Sequence, residues 1–83
     1  MARYFFNTEN GDVHSDHEGI ELPSLAAARV EAVRLSGALL QDIAPEFWST
    51  SAWNMTVTDE AGLILFTIDV SGAASPAASV SRP

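Results

Sequence analysis

The sequence predicts an α+β fold of order β-β-α-β-β: a small antiparallel sheet with one amphipathic helix packed on one face. Three observations predict it. An Asn10-Gly11 step separates two extended segments, residues 25–43 carry apolar side chains at three- and four-residue spacing, and residues 53–70 hold two alternating segments around a turn. Two hairpins joined by one helix leave one sheet face covered and the other open.

The first strand is residues 3–9, RYFFNTE, whose aromatic side chains suit a pleated surface. Asn-Gly is a strong hairpin signal because a type I′ turn needs positive φ at both central positions. The return strand is then residues 12–16. A two-residue turn sets Glu9 opposite Asp12, Asn7 opposite His14 and Phe5 opposite Asp16 on one face. Thr8 with Val13, Phe6 with Ser15 and Tyr4 with His17 share the other face, which is more apolar and is assigned to the core.

Residues 17–19 form a loop and residues 20–23, IELP, an extended lead-in. Ser24 is placed to cap the helix, since its hydroxyl can accept a first-turn N–H. The helix follows over residues 25–43. Its apolar stripe is Leu25, Ala28, Ala32, Leu35, Leu39 and Ile43, widened by Val33 and Leu40, with Glu31, Arg34, Gln41 and Asp42 opposite. Gly37 weakens this helix by ~1 kcal/mol relative to Ala and is read as permitting close packing on the sheet. Pro45 stops it.

Residues 46–52 are a connection whose Phe47 and Trp48 tuck under the helix end. In residues 53–58, Trp53, Met55 and Val57 alternate with Asn54, Thr56 and Thr58. Residues 59–62, DEAG, are a turn. In the last strand Ile64, Phe66, Ile68 and Val70 alternate with Leu63, Leu65, Thr67 and Asp69. Residues 1–70 therefore make a single compact domain. Residues 71–83, small, polar and punctuated by proline, read as a disordered tail.

Composition narrows the function classes. The 83 residues carry a formal net charge of -7, and the chain has no Lys. Its four Arg (Arg3, Arg29, Arg34 and Arg82) are scattered, so no cationic cluster is present to neutralise phosphates. Neither nucleic acid nor an anionic membrane is the expected partner; a neutral or basic protein surface is. The absence of Cys excludes disulfides, thiolate metal sites and thiol catalysis. The longest apolar run, residues 63–66, is far too short to span a bilayer, and residues 1–6 are too short for a signal core. A cytoplasmic location is the expectation. Thirteen alanines dilute the 47% hydrophobic content. A core this small supplies only ~3–5 kcal/mol, which self-association as a homodimer would supplement.

The segments Arg3-Tyr4-Phe5-Phe6, Asp16-x-Glu18-Gly19-Ile20-Glu21-Leu22-Pro23, Ala26-Ala27-Ala28-Arg29-x-Glu31-Ala32 and Val57-Thr58-Asp59-Glu60-x-Gly62, with Trp53, occur in this order. Together they resemble a family of short bacterial proteins, common in alphaproteobacteria, classed as a domain of unknown function. The resemblance covers about residues 3–70. It implies a compact cytoplasmic α+β domain and transfers no activity, substrate or catalytic residue. The hairpin followed by Leu25-Ala26-Ala27-Ala28-Arg29 is also similar to the partial RNase-H-like fold of HicB-type antitoxins. The spacing departs from that pattern, and no DNA-binding segment follows.

Two sites are expected. Asp12, His14 and Asp16 project from one face of the second strand, with Glu9 opposite, and such a set can hold a divalent metal ion. The competing reading is a solvated acidic hairpin. On the open sheet face, Phe5, Leu63 and Leu65 form an apolar patch fit for a second copy or a protein partner. Arg29, near the apolar stripe, is read as a snorkelling cation paired with Asp16, Glu18 or Glu21. Ser49, Thr50 and Ser51 lack a nucleophile elbow. The expected function is thus a non-enzymatic self-association or protein-interaction module without a cofactor. A metal-binding domain and an antitoxin-like partner-binding domain are the alternatives.

Overall fold

The computed structural model describes residues 1–79. Its strands are β1 (Ala2–Glu9), β2 (Val13–His14), β3 (Ile20–Leu22), β4 (Ala52–Thr58) and β5 (Ile64–Ser71), with helix α1 (Leu25–Asp42) between β3 and β4. All pairings are antiparallel, in the order β2-β1-β4-β5. The expected α+β class and its order hold, with one addition: the lead-in segment is itself a strand. β3 pairs the beginning of β1, setting Ala2 opposite Leu22 and Tyr4 opposite Ile20.

α1 begins where the capping residue places it: the Ser24 hydroxyl accepts the Ala27 N–H at 3.1 Å. It ends at Asp42 with Ile43 as its cap, because Pro45 disfavours helical backbone at Ala44 before it. Its buried seam is Ala28, Ala32 and Ser36, a run of small side chains at four-residue spacing. These let the helix approach Tyr4, Phe6, Trp53, Met55 and Val57, the buried residues of β1 and β4. The Ser36 hydroxyl donates to the Ala32 carbonyl at 2.7 Å, which satisfies it inside the core. Val33, expected to widen the stripe, is 65% exposed. A Cβ added at Gly37 would meet nothing within 4 Å, so that glycine does not serve close packing. Of the two aromatics in the connection, Phe47 packs against the core and Trp48 stays exposed.

Two strand expectations are corrected. The first concerns the first hairpin, whose register is one residue off: Glu9 pairs Val13, and Thr8 pairs His14. Gly11 takes φ +102° but Asn10 does not take positive φ, so the type I′ turn fails and Asn10, Gly11 and Asp12 all enter the loop. A one-residue slip exchanges faces: His14 joins the helix side and Val13 points away from it, 67% exposed. The second concerns β5. Val57 pairs Phe66 but Thr58 pairs Ile64, so Leu65 is the extra residue of a bulge. Leu65 turns in and packs against the core cluster, while Ile64, expected inside, is 61% exposed.

The tail expectation meets β5 reaching Ser71 and a 3-10 turn at Pro76–Ser79. Its remainder, residues 80–83, lies outside the described residues. Among the described residues, no helix is long and apolar enough to cross a membrane.

Candidate functional site

The structure places the residues of the acidic hairpin apart. Asp12 sits in the turn, and His14 lies on the helix side of β2. There it lines a cavity of about 280 Å³ with Thr8, Asn10, Leu39, Ile43 and Trp53. Asp16 lies between β2 and β3, where β1 has no strand partner on that edge. One carboxylate oxygen, Oδ2, accepts the Phe6 N–H at 3.1 Å; Oδ1 accepts the N–H groups of Glu18 and Gly19, each at 3.0 Å. Its own N–H donates to Asn7 Oδ1 at 2.9 Å. Burial pushes the Asp16 carboxyl up, but the three backbone donors and the nearby His17 outweigh it and hold the group below its ordinary value. Asp16 thus stands in for a missing stretch of strand. Asp12, His14 and Asp16 do not converge, and no group of three or more His, Cys, Asp or Glu among the described residues is placed to hold a metal ion.

The basic residue that ties this loop down is Arg3, not Arg29. Arg3 Nη1 donates to the Glu18 carbonyl at 2.8 Å, and Nη2 lies 3.9 Å from Glu21 Oε2. Gly19 is packed so tightly beneath it that an added Cβ would lie 2.8 Å from Arg3 Cγ and 2.9 Å from Phe5 Cε2. Arg29 is exposed, and no ion pair is formed by it among the described residues. The sequence signal for Arg3 was its place beside the RYFF aromatics, which hid its reach to a loop fifteen residues on.

The outer sheet face is more polar than the alternation implied. Its cross-strand rows are Glu9–Asn54–Asp69, Asn7–Thr56–Thr67 and Phe5–Thr58–Ile64. The expected trio is split. Phe5 is half-buried, Leu63 is exposed in the turn, and Leu65 faces the helix side. An apolar corner of Phe5, Leu63 and Ile64 remains.

A different surface carries more. β5 is an outermost strand, eight residues long, and none of its edge-facing backbone groups is paired among the described residues. On the helix side Phe66, Ile68 and Val70 touch the core yet remain half-buried. The strip ends at an open cavity of about 260 Å³ lined by Leu40, Ala44, Phe47, Trp48 and Val70. Trp48, 60% exposed, stands edge-on to Phe47 with ring centroids 5.5 Å apart. Thr67 and Asp69 face away from the helix. The only ionisable side chain on this strand is Asp69. Natural edges are blunted by charges, bulges, proline or brevity; β5 has a bulge at its start and one outward acid, Asp69, but from Phe66 to Val70 it carries no proline and no inward charge.

Residues 3–71 match the model of a family described as a domain of unknown function (DUF6894). No curated protein and no solved structure matches the chain.

Proposed function

The chain belongs to the DUF6894 family, and we propose that it works as a non-enzymatic protein-association module whose working surface is the edge of β5 with the apolar strip beside it. The observation that carries this reading is the coincidence of the two features on one strand. Free N–H and C=O groups give an added strand its affinity, and the half-buried Phe66, Ile68 and Val70 give it side-chain contacts on one face. The outer-face corner of Phe5, Leu63 and Ile64 is smaller and lies beside rows of Thr, Asn and acidic side chains, so it serves as a secondary contact.

Amide exchange on the full chain, diluted until light scattering reports one copy, tests this. The edge-pointing amides of residues 66–70 are expected to exchange far faster than the amides of β4. Equal protection in the two strands would mean the edge is already covered within one molecule, and the reading would fall.

A further inference from the structure

We propose that the occupant of the β5 edge is a second copy of this chain, paired antiparallel through β5 about a two-fold axis at Ile68; this rests on the reading of that edge as the working surface. The argument is one of self-complementarity. Around Ile68, Phe66 of one copy stands opposite Val70 of the other, Ile68 opposite Ile68, and Thr67 opposite Asp69. Phe66, Ile68 and Val70 all lie on the helix side, and Thr67 and Asp69 both on the outer side, so every opposed pair shares a face. Both Asp69 carboxylates meet a threonine hydroxyl, and neither meets the other.

The alternative registers fail on the same residues. Centring on Asp69 opposes like charges directly, which is destabilising in a ladder. Centring on Thr67 brings Asp69 opposite Leu65, the bulge residue that has turned to the helix side, and the ladder breaks after three pairs. Any odd shift sends the apolar set to the polar face. Only the Ile68 register gives five consecutive pairs, matching apolar to apolar and acid to hydroxyl. The two strips of Phe66, Ile68 and Val70 then meet between the two helices, each of which leaves Val30 and Val33 exposed. One continuous sheet of two copies enlarges a core that is small for a single chain.

The chain has no cysteine, so single cysteines report the register without background. Light scattering of the wild-type chain over a concentration series is expected to reach twice the 8.9 kDa of one copy. Ile68→Lys is expected to weaken that association about thirtyfold or more, as a central interface position does. Thr67→Cys and Asp69→Cys, both on the outer face away from the core, are expected to form a disulfide when mixed and oxidised, and neither alone. A cross-link in Thr67→Cys alone would overturn the Ile68 register in favour of one centred on Thr67; a cross-link in Asp69→Cys alone would overturn it in favour of one centred on Asp69. A chain that stays single at every concentration, with fast-exchanging β5 amides, would overturn the second copy while leaving the strand-addition reading intact. A single chain with protected β5 amides would overturn both.

Discussion

Asp16 Oδ2 accepts the backbone N–H of Phe6 at 3.1 Å, in the stretch of β1 that neither β2 nor β3 reaches. A side chain here completes a sheet edge that the backbone leaves open. β1 needs that partner because Phe6 is itself buried and its N–H has no strand partner on that edge.

Removing that carboxylate should therefore unpin the loop. Asp16→Ala strips the acceptor from three N–H groups at once and is expected to cost about 2 kcal/mol, the order of one charge-assisted hydrogen bond after solvent compensation. Asp16→Asn keeps one acceptor oxygen and should cost less. Urea denaturation of both variants measures this; a loss within the error for Asp16→Ala would contradict the role assigned to it.

Stability should also fall in acid through this group. Its carboxyl is held below its ordinary value in the folded chain. Its contribution is therefore complete above the ordinary carboxylate range and disappears as the pH drops through the lower folded value, where the proton displaces the N–H donors. The melting temperature of the wild type should decline over that interval, and that of Asp16→Asn should decline less steeply. Parallel acid profiles would show that other carboxylates dominate.

Gly37→Ala should stabilise the chain. The residue is exposed in mid-helix, with open space where a Cβ would go. The gain expected is about 1 kcal/mol from helix propensity alone. In a domain of this size that corresponds to a rise of roughly 4–8 °C in Tm. A fall in Tm would reveal a contact at this face, including one made by another copy.

Arg3 and Arg29 should separate cleanly. Arg3→Met loses the bond to the Glu18 carbonyl and should cost about 1 kcal/mol. Arg29→Met, at an exposed position, should change stability by less than about 0.5 kcal/mol. Thermal unfolding of the pair checks the assignment, and the reverse ranking would return the loop to Arg29.

What was legible in the sequence was local. Ser24 before a run of alanines marks the helix start, Pro45 marks its end, and the strict alternation from Trp53 to Val57 places three side chains in the core, where all three are buried. Each of these follows from the bonding or geometry of a few neighbouring residues. The site was legible only as a class of surface. An exposed edge strand is expected of any small open sheet, but which strand takes the edge depends on the β2-β1-β4-β5 order, a set of pairings between distant segments.

The division between the two levels is sharpest where one residue shifts a face. By itself the sequence determined the helix, the first strand, the buried face of the fourth strand and the excess of acid, because those depend on side-chain type and period. Only the tertiary structure decided that Gly11 but not Asn10 takes positive φ, that Leu65 bulges inward while Ile64 turns out, and that Arg3 rather than Arg29 holds the Glu18 carbonyl. The physical reason is shared. In a strand, successive side chains alternate faces, so a single extra residue in a turn or a ladder reverses which ones meet the core. Packing against the rest of the fold selects between two registers that look equally good in one dimension.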